Sequence, residues 1–363
     1  MAKLKDKRIL VKGVEAIAFG ALEGGCNCYF GYPITPQNEI PELMSVELPK
    51  RGGVFLQAES ETSAINMVLG ASAVGARVMT SSSSPGISLM SEGFSYLIAL
   101  ELPCVIVNVM RGGPGLGGIE ASQGDYFQAV KAPGHGDGKF LVFAPYSCDE
   151  AYELTAKAFE LADKYRNPVM ILSDAILGQM KEPLTLKPLK IKRIKKDDWI
   201  LNGAKDRPAR VIKSLFLDSA ELAERNRKLK KKYQMMEKEI RYEKIFEGNE
   251  DIIVVSFGSM ARLCKEAVLN LREKGYPVGF FRPITLYPFP RFTLFKLAEA
   301  SQRKKRFMVF ELNCGQMVED VASSICGRGD TYSVFYPPSI LPFPEDIEKE
   351  IKKCLKYSNS PKV

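Results

Sequence analysis

The sequence predicts an α/β protein built as a doubly wound parallel-sheet domain over residues 1–180, a basic connecting segment with a long helix over 181–248, and a second, smaller α/β domain over 249–363. Three observations carry this. Short apolar runs alternate with helical periodicity as far as residue 180, a Lys-rich stretch interrupts the alternation, and the alternation restarts at Asp251. Strand and helix in strict alternation imply a parallel sheet covered on both faces.

The apolar runs of the first region are CYFGYP, GGVFLQA, ARVMT, CVIVNVM, KFLVFAP and PVMILSD, and helical spacing fills Ser63 to Ala73, Ser88 to Ile98 and Asp149 to Ala162. The connecting segment opens on KEPLTLKPLKIKRIKK. Asp218 with Glu221 reads as a capping pair. Leu222, Leu229, Tyr233, Met236 and Ile240 then form one apolar stripe on a charged helix. The stripe spans fewer than three heptads, so it is expected to pack on the first domain rather than to form a coiled coil. Beyond Asp251 come DIIVVSFGS, the helix ARLCKEAVLNLREKG, PVGFFRPITLYPFP and RFMVFEL. Gly275 sits where a helix-ending glycine belongs, and Pro283, Pro288 and Pro290 close the strand before them.

A chain of 363 residues exceeds what one hydrophobic core usually serves. The longest apolar runs, such as Cys104 to Val109 and Ile252 to Val255, fall far short of the roughly 18 residues of a membrane span. The basic start MAKLKDKRILVKG leads to no small-residue cleavage site. A cytoplasmic protein without a membrane partner is expected. The eight cysteines include no CxxC pair, whereas iron–sulfur and zinc sites need clustered thiolates. Any electron-carrying cluster is therefore expected on another chain. Cys26 and Cys28 share one face of a predicted strand and read as packing residues. The net charge of +8 comes largely from residues 187–244. That run lacks the interleaved aromatics and the recognised module of a nucleic-acid binder, so it reads as a solvated connecting face, with a docking surface for an acidic redox partner as the alternative.

Several segments could carry chemistry. In GYPITPQNEI, Pro36 suits a first helical turn and leaves Thr35 at the C-terminal edge of the sheet, where α/β folds bind ligands. A rigid turn explains the same residues. In QAESETSA, Ser60 can cap a helix whose first turn holds Glu61. That acid is either an exposed cap or a buried, tunable proton donor. After CVIVNVM comes RGGPGLGG, in which Gly113, Gly115 and Gly118 satisfy G-x-G-x-x-G. A dinucleotide site would place that motif after the first strand of the fold, and here it follows the fourth. Gly136-Asp137-Gly138, with Asn167 downstream, imitates a magnesium-diphosphate motif but sits in the glycine-rich loop APGHGDGK, and it reads as a loop. His135, the only histidine, is open as base, substrate contact or loop residue. The Ser81 to Ser84 run reads as a strand-to-helix turn at the same sheet edge. No G-x-S-x-G elbow supports a hydrolase triad.

Taken together, GYPITP, QAESETSAINMVLGASAVGAR, TSSSSPGISLM, VNVMRGGPGLGG, NPVMILSD and FRPITLYPFP resemble the alpha subunits of 2-oxoacid:ferredoxin oxidoreductases, most closely the 3-methyl-2-oxobutanoate type and next the 2-oxoglutarate type. The resemblance covers most of the chain outside 187–248. It implies that the first domain is the pyrimidine-binding half of a thiamine diphosphate site and that the last is similar to the C-terminal domain of transketolases. Glu61, with Ala64, Gly75, Ala76 and Arg77, fits the family's E-x-x-A…G-A-R pattern, so Glu61 rather than Glu59 takes the catalytic role at the pyrimidine ring. The resemblance also puts Thr35 and Arg111 at the substrate, with Pro33 and Ser84 at the cofactor. A carboxyl hydrogen-bonded to the pyrimidine nitrogen favours the imino tautomer that can remove the thiazolium C2 proton, and an arginine can pair the 2-oxoacid carboxylate. The implied partners are a beta subunit holding the diphosphate and Mg2+, a ferredoxin-like subunit with 4Fe–4S clusters, a gamma subunit, ferredoxin as acceptor and coenzyme A as co-substrate. Alternatives from other classes are a nicotinamide-binding dehydrogenase and a non-catalytic scaffold subunit.

Overall fold

The first domain is organised by a seven-stranded sheet in the order Thr285–Tyr287, Leu141–Phe143, Val169–Asp174, Val105–Met110, Val78–Ser82, Cys28–Gly31 and Val54–Gln57. The computed structural model describes residues 7–300 and 304–356, so part of the basic N-terminal stretch and the last seven residues lie outside the described residues. Six strands are parallel, and Thr285–Tyr287 joins antiparallel at one edge. The central strand Val105–Met110 is buried throughout. Its alternate residues Val105, Val107 and Val109 join one core, while Ile106 and Met110 join the other. This is the period-two consequence of covering both faces of a sheet.

Helices Gly13–Glu23 and Cys148–Tyr165 cover the first face and Glu61–Ala73 with Ser91–Ala99 the second. The sequence suggested one helix from Ser88 to Ile98. Instead, Ser84–Leu89 and Ser91–Ala99 meet at the buried Met90, and Pro85 occupies the first turn of the earlier helix. The chain moves outward from Cys28–Gly31 to Val54–Gln57 and then returns to the other side of Cys28–Gly31 with Val78–Ser82. That reversal is a topological switch point, and it opens a crevice at the strands' C-terminal ends.

A second sheet runs in the order Gly329–Phe335, Lys305–Glu311, Ile252–Val255, Val278–Pro283 and Tyr242–Ile245, with the last strand antiparallel. The two sheets exchange edges. Tyr242–Ile245 comes from the basic segment and Thr285–Tyr287 from the C-terminal region, and each is a short edge strand. Pro288 follows the edge strand Thr285–Tyr287, and Pro283 stands at the end of the inner strand Val278–Pro283, the strand ends being where proline is tolerated. Lys7–Lys12 and Lys181–Leu186 form a separate antiparallel pair.

The connecting segment is tied down by charge. Arg77 donates to Asp163 at 2.8 Å, to the Gly24 carbonyl at 2.6 Å and to the Lys192 carbonyl at 2.7 Å, and Lys196 pairs with Asp163 at 2.7 Å. The long helix spans Ser219–Met236, with Asp218 accepting the Ala220 N–H at 2.7 Å. Two sequence expectations change here. Glu221 pairs with Lys213 rather than completing a capping box, and the stripe is buried only at Leu229 and Met236, with Tyr233 half-buried, Leu222 exposed and Ile240 beyond the helix end. Arg225 and Lys232 hold the helix to Glu101 of the first domain.

Candidate active site

Four strand ends deliver the candidate residues to one edge. Thr35 follows Cys28–Gly31, Glu61 follows Val54–Gln57, Ser84 follows Val78–Ser82 and Arg111 follows Val105–Met110. Parallel strands present all their C-termini together, so residues far apart in sequence converge on the switch-point crevice.

Ser60 is extended and its hydroxyl accepts the Ser63 N–H at 3.1 Å, as a cap should. The next residue, Glu61, is turned inward and buried, while Glu59 is exposed. The Glu61 carboxylate receives only a 3.5 Å contact from the Ser82 hydroxyl. A buried carboxylate with so little of its hydrogen-bonding capacity used is uncommon and suits an incoming ring nitrogen. Gly86 makes this possible, because a side chain there would overlap both the Glu61 carboxylate and the Ser82 hydroxyl. These residues fit the pyrimidine half of thiamine diphosphate.

Arg111 is also buried. Its guanidinium donates to the Thr35 carbonyl at 2.9 Å and to the Leu116 carbonyl at 3.2 Å, and its Nε is buried without a partner. Ser84 fixes its backbone. The hydroxyl accepts the Arg111 N–H at 3.0 Å and donates to Asp125 at 2.6 Å. Asn108 donates to the same carboxylate at 2.9 Å. Burial pushes the Asp125 carboxyl above the usual aspartate range, and the Ser84 and Asn108 hydrogen bonds pull it part of the way back. Ser84 thus spends its hydroxyl on holding Arg111. Pro33 is exposed on the segment leading to Thr35, and Pro36 stands in a turn rather than in a helix, which starts at Glu39.

The glycine loop after Arg111 closes on itself. Arg111 bridges Ala121, and the Gly118 N–H donates to the Gly112 carbonyl at 2.9 Å. Gly117 has a φ of +54°, and a side-chain carbon there would fall 1.8 Å from the Gly112 carbonyl oxygen, so no side chain fits. No helix opens from this loop, so Gly113, Gly115 and Gly118 do not form a dinucleotide fingerprint. Gly136–Gly138 lies before Leu141–Phe143, at the opposite, N-terminal edge of the sheet. Asn167 is likewise at that edge, donating to the Lys139 carbonyl at 2.9 Å. His135 is exposed there, with its N–H on Ser95 at 2.8 Å.

Sequence reasoning missed Asn108, Asp125, Gly86 and Gln123. Asn108 had a signal, being a lone amide inside VIVNVM. Gln123 joins the two domains: its side chain donates to the Phe257 carbonyl at 2.8 Å and accepts the Leu312 N–H at 3.2 Å. Beside Thr35 a cavity of about 620 Å³ opens between the Glu39 helix, the loop at Ile119–Ala121, the helix Ala175–Gln179 and the segment at Ser339–Leu341.

A doubly wound domain that presents a buried, underused glutamate and a buried arginine at its switch point has the form of a thiamine-diphosphate-binding module. Residues 19–248 match the family described as pyruvate flavodoxin/ferredoxin oxidoreductase, thiamine diphosphate-binding, and residues 250–338 match pyruvate:ferredoxin oxidoreductase core domain II. The chain belongs to the 2-oxoacid:ferredoxin oxidoreductase family, as an alpha-type subunit. It is 49% identical to the ketoisovalerate oxidoreductase subunit VorB of Methanothermobacter thermautotrophicus over 86% of this chain and 88% of that one. It is 39% identical to the 2-oxoglutarate synthase subunit KorA of Archaeoglobus fulgidus over 90% and 94%. Among solved structures it resembles 2-oxoglutarate:ferredoxin oxidoreductase from Magnetococcus marinus, with a TM-score of 0.85 and 27% identity over 96% of this chain. The chain spans 65% of the length of that protein's chain. A split-gene transketolase shares the fold at a TM-score of 0.58. Among the described residues, no helix is long and apolar enough to cross a membrane.

Proposed function

We propose that this chain is the pyrimidine-binding alpha subunit of a cytoplasmic complex that oxidatively decarboxylates 3-methyl-2-oxobutanoate to an acyl-CoA and carbon dioxide, with reduction of ferredoxin. Thiamine diphosphate, when bound, supplies the nucleophilic carbon and the electron sink for that reaction. Glu61 holds the proton at the pyrimidine ring nitrogen, in a buried position where water does not compete for it. Arg111 pairs with the substrate carboxylate, and Thr35 hydrogen-bonds the substrate at the mouth of the crevice. Pro33 flanks the cofactor, and Ser84 serves it through Arg111.

The cavity beside Thr35 carries the choice of substrate. Its apolar wall includes Ile119, Ala121, Ile176 and Leu341, and its charged lining consists of Glu39, Glu42 and Glu120. Lys12 pairs with Glu39, and the residues that line the cavity include three glutamates and no lysine or arginine. A branched aliphatic tail buries against such a wall. The distal carboxylate of 2-oxoglutarate would meet like charge, and the methyl group of pyruvate would leave the space largely unfilled.

Partners follow from what the edge lacks. The glycine-aspartate-glycine loop faces away from Glu61, so a beta subunit is proposed to hold the diphosphate and Mg2+. The cysteines lie dispersed through the fold, mostly buried, and the 4Fe–4S clusters are assigned to a ferredoxin-like subunit, with a gamma subunit completing the complex and coenzyme A accepting the acyl group. The test is to reconstitute the complex and assay the three acids with coenzyme A and a viologen dye. The highest kcat/KM is expected on 3-methyl-2-oxobutanoate. Turnover of none would overturn the reading, and preference for 2-oxoglutarate would overturn the substrate choice.

A further inference from the structure

A second cavity, of about 600 Å³, lies where the end of the helix Tyr126–Val130, the C-terminal half of the helix Ser219–Met236 and the turn after Thr285–Tyr287 meet. Lys139 precedes the parallel strand Leu141–Phe143, and Pro288 follows the antiparallel strand, so the cavity belongs to the N-terminal edge of the first sheet. A six-residue strand such as Val105–Met110 separates the two edges by roughly 20 Å. This space is not the substrate crevice.

Its rim is cationic. Lys131, Lys139, Lys230 and Arg291 face only two carboxylates, Asp320 and Glu237. Asp320 is saturated, taking Lys131 at 2.6 Å, Arg291 at 2.7 Å and the Tyr126 hydroxyl at 2.8 Å. The Lys139 ammonium donates to backbone carbonyls, the nearest that of Lys131 at 2.6 Å, and lies 5.8 Å from the centre of the Tyr287 ring. Burial together with the Lys131 charge pushes its pKa down, and the charges of Asp137 and Asp320 pull it part of the way back. Lys230 has no ion-pair partner among the described residues. Lys139 and Lys230 thus make no ion pair among the described residues, and four cations line the cavity against two carboxylates, an excess of positive charge that a bound polyanion would relieve.

The rest of the lining is aromatic. Tyr233 and Tyr287 meet edge to face with centroids 6.5 Å apart, over a buried floor that includes Leu286 and Phe289. Phe292 stands at the rim with 73% of its surface exposed, the Lys296 ammonium 5.5 Å from its ring centre and no aromatic partner among the described residues. Rings beside uncompensated cations suit a planar base joined to phosphate, and the volume is that of an ordinary small-molecule site. We propose that this cavity binds a nucleoside phosphate, with its base against Phe292 and Tyr287 and its phosphates at Lys139 and Lys230. The proposal is independent of the function assigned to the catalytic edge.

The experiment is a calorimetric titration of ADP into the purified full chain. Saturable binding is expected, weaker by about tenfold or more in Lys230→Glu and by about threefold or more in Phe292→Ala. Both side chains are exposed, so melting temperatures should not change. Inorganic phosphate and adenosine, as the separate halves, should bind more weakly than ADP. Coenzyme A carries the same adenine nucleotide chemistry. Competition with ADP would assign its head group as the ligand, and failure to compete would assign a free nucleotide. Absence of saturable ADP binding, indifference of that binding to both substitutions, or phosphate binding as tightly as ADP would each overturn the site.

Discussion

The guanidinium of Arg111 donates to the backbone carbonyl of Thr35 across 2.9 Å, joining two residues that lie 76 positions apart in the chain. The contact brings the end of the strand Cys28–Gly31 to the end of the central strand Val105–Met110 and sets the mouth of the crevice. A planar fork serves the Thr35 and Leu116 carbonyls, and would be needed to take the proposed substrate carboxylate as well. Arg111→Lys is therefore expected to lower kcat/KM for the 2-oxoacid by about tenfold or more while leaving the melting temperature nearly unchanged. A normal kcat/KM would remove Arg111 from the substrate.

Glu61→Ala in the assembled complex should reduce turnover by about 100-fold or more, the range that loss of a positioned proton-transfer group produces. Because Glu61 receives only one long contact among the described residues, its removal should cost little stability. Near-normal viologen reduction by this variant would favour a scaffold role for the subunit.

Gly86→Ala tests the close approach that leaves room for Glu61. The added methyl would collide with the Glu61 carboxylate and the Ser82 hydroxyl, so we expect activity to fall at least about tenfold, with an overpacking cost of about 1–3 kcal/mol. Gly70→Ala is the control. It lies within the helix Glu61–Ala73 with open space around it, and a gain of up to about 1 kcal/mol is expected from helix propensity. Equal behaviour of the two variants in the viologen assay would contradict the packing argument.

Asp125 should leave a signature in the pH dependence of stability. Its folded pKa is raised, by burial above all, so the folded chain binds its proton more tightly than the unfolded chain does. The associated stabilisation is fully present below the ordinary aspartate value and is lost as pH rises through the folded value. Asp125→Asn removes this term. The variant should gain stability relative to the parent at neutral pH and lose that advantage in acid. Parallel denaturation curves for the two proteins from pH 3 to pH 7 would refute the assignment.

Gln123 is fully buried and reaches from the first domain to two backbone groups of the second, Phe257 and Leu312. Gln123→Ala strands the Leu312 N–H, at a cost of about 1–3 kcal/mol, and leaves the Phe257 carbonyl with the Ala261 N–H at 3.3 Å. The melting temperature should drop by about 1–4 °C, since the unfolding entropy of a chain of 363 residues makes each kcal/mol worth roughly 1.3 °C. An unchanged melting temperature would mean that water or a shifted neighbour replaces the amide.

Local information in the sequence determined the elements and the chemistry of individual residues. Alternating apolar runs specify buried parallel strands, Ser60 caps its helix, and the GYPITP and E-x-x-A motifs single out Thr35 and Glu61, because each of these depends on neighbours a few positions away. Tertiary structure alone decided what meets what. The strand order puts the ends of four separate strands at one switch point. Gly86 comes against Glu61, Ser84 and Asp125 come under Arg111, and Gln123 comes between two domains that exchange edge strands. These contacts join residues tens to hundreds of positions apart, and their partners are chosen by sheet order and core packing, which leave no periodicity in the chain. Glu61 was legible as an acid at a helix start. That it would be buried and left almost without a partner depended on the whole fold closing around it.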